Sequence, residues 1–134
     1  MRLLLAILLV LALAGCGPQA PVSTDKKPAI TAWVAVTGES MLPAFPRSAL
    51  AEAQFGYPYD DLKVGDTVIY WDYKRGAASF THHRLVAKQG DNWMAKGDNE
   101  VTNPGVDASW VTRETFYART TGKHAPMVIA PPPY

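Results

Sequence analysis

Hydrophobic positions fall into three regimes along this chain. From Leu3 to Ala14 they are continuous, a leucine-rich block preceded by Arg2 and closed by the small residues Ala14 and Gly15. That is the layout of a secretory signal segment, 1–15. The block is too short for a mature membrane-spanning helix, which needs about 20 apolar residues. From Gly17 to Pro28 the apolar signal gives way to a polar, proline-containing stretch that reads as a tether. Beyond it, apolar residues return in short runs rich in β-branched and aromatic types, punctuated by glycine, asparagine and aspartate. Ala29–Val36 and Thr67–Trp71 are strand candidates, as are Phe80–Ala87 and Trp93–Lys96, joined at Gln89–Asn92. Thr115–Thr120 is a candidate closing strand, and Ser48–Phe55 is expected to make one or two helical turns. With no long amphipathic helix and no internal repeat, the pattern predicts a compact, mainly β domain over 29–124 with little helix. A proline-rich tail, 125–134, follows it and suits an extended polyproline II conformation.

The length of 134 residues is enough for one domain and not two. Of 13 basic and 12 acidic residues, the signal segment removes only Arg2, so the mature chain is balanced. It has no lysine-arginine block, and nucleic-acid binding has no electrostatic support. Cys16 is the only cysteine, which excludes an internal disulfide. The tetrapeptide Leu13-Ala14-Gly15-Cys16 resembles the bacterial lipoprotein cleavage box. The resemblance implies that Cys16 becomes the first mature residue and carries acyl chains. It would anchor the protein to a membrane on the extracytoplasmic side of a bacterial envelope. The plain alternative is an incidental thiol behind an ordinary signal peptide.

Three short segments could carry chemistry. In Gly38-Glu39-Ser40-Met41-Leu42-Pro43, a glycine permits a bend, Met41 can pin it and Pro43 stiffens the exit, so Ser40 could be presented as a nucleophile. Read blandly, Ser40 sits in an ordinary strand-end turn. Phe80-Thr81-His82-His83-Arg84 offers two imidazoles that could serve a serine as base at neutral pH. Strand alternation points them to opposite faces, so only one is expected to enter a given site, and alternation does not choose between them. The same argument opposes a paired metal site, since no cysteine or histidine lies at ligand spacing. Lys96-Gly97-Asp98-Asn99, with Asp107 beyond it, supplies carboxylates that could orient an imidazole, or simply forms a turn.

Together these segments resemble the signal peptidase I family. The boxes are Ser40-Met41-Leu42-Pro43, Gly65-Asp66-Thr67-Val68, His83-Arg84-Leu85-Val86 and Gly97-Asp98-Asn99, in the family's order over about Trp33 to Gly122. The resemblance implies a coiled β-sheet peptidase domain with no cofactor and no metal, acting on exported proteins or preproteins. It makes Ser40 the nucleophile and the residue before Arg84, His83, the general base, as in the histidine-type members. Asp107 would complete the triad, with Asp98 a rival because the spacing after the Gly-Asp-Asn box is longer than usual. Gly38 stands where members often have a serine that helps bind the oxyanion, and Glu39 where a glycine is usual. A lipid takes the place of the usual transmembrane anchor. The alternative from another class is a catalytically inactive envelope lipoprotein that keeps the fold as a binding or scaffold module. A dedicated processing peptidase with one cognate substrate is a further variant.

Overall fold

A computed structural model describes residues 29–73 and 79–128. Cys16, the signal segment, the tether and most of the proline-rich tail lie outside the described residues. The described chain is mainly β, with six strands: β1 (Ile30–Val36), β2 (Ala49–Phe55), β3 (Thr67–Asp72), β4 (Ser79–Gln89), β5 (Asn92–Lys96) and β6 (Phe116–Pro126). They form one antiparallel sheet in the order β1-β2-β6-β3-β4-β5. One 3-10 turn, Tyr59–Asp61, precedes β3.

Both faces of the central strands are covered. On one face Val68, Tyr70, Leu85, Trp93 and Ala95 pack with Tyr59, Leu62 and Val111. On the other, Ile69, Ala53 and Ala118 form one cluster, and Val36, Met41, Phe45 and Ala51 another. A strand buried on two faces needs apolar residues at consecutive positions, which explains why β3 reads Val-Ile-Tyr without alternation. The β4–β5 hairpin closes through Gly90 and Asp91, with Gly90 at a φ of 58°. A glycine at the first central position is what a tight two-residue hairpin favours.

The helical turns expected over Ser48–Phe55 are not there: that segment is β2, paired with β1 and β6 on its two sides. Alanine, leucine, glutamate and glutamine favour helix by propensity. Pairing on both edges and the alternation of buried Ala49, Ala51 and Ala53 with less buried Leu50, Glu52 and Gln54 outweigh that preference. The closing strand also runs further than expected, to Pro126, because β2 continues to pair with it as far as Ala49.

Candidate functional site

The loop after β1 carries Ser40 and is tied down at several points. Leu42 N–H donates to Glu39 O (3.1 Å), Phe45 N–H to Met41 O (2.9 Å) and Ser48 N–H to Val36 O (2.8 Å). Met41 and Phe45 are buried, so the apolar side chain next to Ser40 does pin the turn. A second set of bonds comes from the Gly97-Asp98-Asn99 segment. Asn99 N–H donates to Ser40 O (2.9 Å), and Asn99 Nδ2 donates to Glu39 O (3.0 Å).

Gly97 matters by what it lacks. A Cβ there would lie 2.7 Å from Ser40 O and 2.6 Å from Asn103 Cγ, closer than real Cβ contacts come. The β4–β5 register ends at the Arg84–Lys96 pair, so Gly97 is the first residue beyond β5. The space vacated at Gly97 lets the Ser40 backbone approach the end of β5. The ring of Phe45, a few residues on, meets His82 edge-on at 4.7 Å. The serine loop therefore meets both the residue after β5 and the His82 ring of β4.

The two histidines have different surroundings. His83 is buried, and its Nδ1 lies 2.6 Å from Asp107 Oδ2. Tyr70 donates its hydroxyl to the same oxygen at 2.7 Å, and Asp107 N–H is held by Ala95 O at 2.8 Å. With Nδ1 committed to the carboxylate, Nε2 is the ring atom left to accept a proton. His82 instead places Nε2 3.0 Å from Thr120 Oγ1, and Nδ1 is buried with no partner among the described residues. Burial, and then the neighbouring His83 charge, push His82 down to about 4. A ring that ionises so low is poorly matched to taking a proton at neutral pH.

Ser40 and His83 border the same cavity of about 870 Å³, whose apolar wall includes Val34, Ile69, Phe55 and Tyr117. His82 borders it too, which corrects the expectation that one histidine alone could do so. Five consecutive residues of β4, Ser79 to His83, line it. Asn103 also lines it, its Oδ1 accepting from Thr102 Oγ1 at 2.7 Å.

The two carboxylates have different partners. Asp98 is engaged by Arg84 through two bonds, Nε to Oδ1 at 2.8 Å and Nη2 to Oδ2 at 2.6 Å, while Asp107 takes the histidine. This pairing raises Arg84 above its ordinary range, chiefly through the hydrogen bonds to Asp98. Arg84 Nη1 also donates to Gly65 O (2.7 Å), and Asp66 accepts from Arg119 Nε (3.1 Å) and from Lys63 N–H (3.0 Å). Thus Gly65, Asp66, Arg84, Asp98 and Arg119 form one set of bonds, whereas His83 is bonded to Asp107 and shares a cavity with Ser40. Glu39 lies 3.3 Å from Arg47, an exposed pair beside the cavity.

Sequence reasoning missed Tyr70 and Asn103. A tyrosine in a run of buried aliphatic residues was the available signal, since a buried phenol needs a partner. Among the described residues no group of three or more His, Cys, Asp or Glu could hold a metal ion, and no helix is long and apolar enough to cross a membrane. No family model, curated protein or solved structure matches the chain.

Proposed function

We propose that this protein is a serine endopeptidase of the kind its ordered boxes resemble, signal peptidase I of the histidine type. In this reading Cys16 holds it to a membrane through acyl chains, and its substrates are exported proteins. The observation that carries the proposal is the 2.6 Å contact of His83 Nδ1 with Asp107 Oδ2, with Ser40 on the same cavity as His83.

The chemistry follows from the atoms available. Ser40 Oγ attacks the peptide carbonyl carbon while its proton passes to His83 Nε2. Asp107 fixes the ring tautomer and stabilises the imidazolium as it forms. The carbonyl oxygen becomes an oxyanion, for which the Ser40 backbone N–H is the donor nearest in the chain. The C–N bond then breaks, the leaving amine takes the proton from His83, and an ester to Ser40 remains. Water, deprotonated by His83, hydrolyses that ester and restores the serine.

Substrate would lie extended along β4. The strand pairs with β5 only from Arg84 onward, and among the described residues nothing pairs the outer edge of Ser79–His83. An open edge can supply main-chain hydrogen bonds to a peptide. The apolar wall of Val34 and Ile69 beside it suits small apolar side chains before the scissile bond, as the resemblance implies.

Gly38 favours the second reading, a binding module without activity, because it gives the site no side-chain hydroxyl for the oxyanion. Glu39 gives that reading less support, since Arg47 holds its carboxylate. The deciding experiment incubates the detergent-solubilised full chain with signal-bearing preproteins. Cleavage that Ser40→Ala abolishes supports the peptidase. No cleavage of any preprotein by a folded wild type leaves the binding module.

A further inference from the structure

The geometry points to Tyr70 as a positioning residue of this site: its hydroxyl holds the Asp107 oxygen that meets His83 Nδ1 and takes a share of that oxygen's charge. The inference rests on reading His83 as the general base.

Tyr70 is completely buried in the central strand, where phenylalanine would fill nearly the same volume. A phenol in such a place is costly unless its O–H is bonded. Its bond goes to Asp107 Oδ2 at 2.7 Å, the same atom that lies 2.6 Å from His83 Nδ1. The β3–β4 register sets Val68 across from His83 and Tyr70 across from Thr81. Tyr70 and His83 are therefore diagonal neighbours on one face, and the carboxylate bridges the gap between them. Among the described residues they are the two side chains bonded to Asp107. With its backbone fixed on Ala95 O and its oxygen held by two donors, Asp107 has little freedom to swing away from the ring.

The second consequence is electrostatic. A donor on a carboxylate oxygen stabilises the negative charge and weakens that oxygen's pull on a second proton. Other charges near His83 are His82 and Arg84 on its own strand, Asp98 bound to Arg84, and Glu39 bound to Arg47 on the serine loop. None of these shares the Oδ2 atom, so the Tyr70 bond is the lever that acts on the triad directly. Removing it leaves the carboxylate's charge to His83, which favours the imidazolium and makes the ring a base only at higher pH.

The test uses the full chain and its Tyr70→Phe variant. The pH midpoint of kcat/KM should rise by roughly half a unit, because the imidazolium gains what the phenol gave up. The loss of rate should then be larger at pH 6 than at pH 8, with KM little changed. In an Asp107→Asn background Tyr70→Phe should move neither rate nor midpoint. A folded Tyr70→Phe protein with an unchanged midpoint, or an equal loss with and without the Asp107 carboxylate, would overturn the inference and leave Tyr70 as packing. NMR titration of the His83 ring reads the same shift without any substrate. If wild type cleaves nothing, the peptidase reading fails while the ring titration still decides Tyr70. Should Tyr70→Phe not fold, 3-fluorotyrosine at position 70 replaces it. A more acidic phenol donates more strongly and should move the His83 titration down, and no movement would again refute the role.

Discussion

His82 and His83 are adjacent on one strand and border one cavity, yet they belong to different parts of the molecule. His83 has the Asp107 carboxylate on Nδ1, and Tyr70 bonds the same carboxylate oxygen. His82 faces Phe45 and Thr120 and is driven neutral by burial. Its neighbour Thr120 is bonded in turn to Thr67. The aspartates divide in the same way, Asp107 at the histidine and Asp98 at Arg84. Within each pair the two residues differ by the partners they meet, and residue type does not reveal those partners.

The aspartate pair gives the largest expected contrast. Asp107→Asn should lower kcat by about a thousandfold or more, because an amide no longer fixes the tautomer or offsets the imidazolium charge. Asp98→Asn should leave the rate within about tenfold but cost about 1–2 kcal/mol of stability. That figure is discounted because Arg84 is about a third exposed. Urea unfolding and initial rates on the same two proteins check both halves. If Asp98→Asn is the dead variant, the assignment of the carboxylates is reversed.

Gly97→Ala sharpens the comparison from the other side. The added methyl must displace the Ser40 backbone or the Asn103 side chain. Rate should fall by about a hundredfold, the scale on which a misplacement near 1 Å acts. The loss of stability should be smaller, about 1–3 kcal/mol, as for overpacking elsewhere. A fully active Gly97→Ala protein would show that the serine loop does not depend on this contact.

A smaller effect concerns acid. The folded His82 ring ionises near 4, against about 6.5 in an unfolded chain. Between those values the unfolded chain binds the extra proton, so stability contributed above about pH 6.5 is lost as pH falls and is gone near 4. The upper bound is about 3 kcal/mol, from 1.36 kcal/mol per unit. His82→Gln should flatten this part of the profile in urea midpoints taken from pH 7 to 4. An unchanged slope would place the ring in water.

Strands β1, β3, β4 and β5 are legible in the sequence because β-branched and aromatic residues cluster between turn formers there. Strand β2 is not, because its core-facing positions are alanines, which look like helix formers until their alternation is matched to the neighbours Val36, Met41 and Ala118. The far half of β6, Thr-Gly-Lys-His, carries almost no apolar signal and is a strand through its pairing with β2. At the candidate site, the order of the boxes singles out Ser40 and His83. Spacing alone leaves both aspartates open, and only distances show Asp107 bonded to His83 and Asp98 to Arg84. Tyr70 and Gly97 act through contacts between segments far apart in the chain, which no local pattern encodes.

Preprotein cleavage by His82→Ala and His83→Ala, measured side by side from about pH 5 to 9, decides whether one histidine of the pair acts with Ser40, since that range brackets the imidazole ionisation. His83→Ala should be as inactive as Ser40→Ala at every pH, whereas His82→Ala should keep most of the rate and rise with pH through a single ionisation, as wild type does. An active His83→Ala protein beside a dead His82→Ala protein would place the base on the wrong side of the strand, and full activity in both would refute the serine–histidine mechanism.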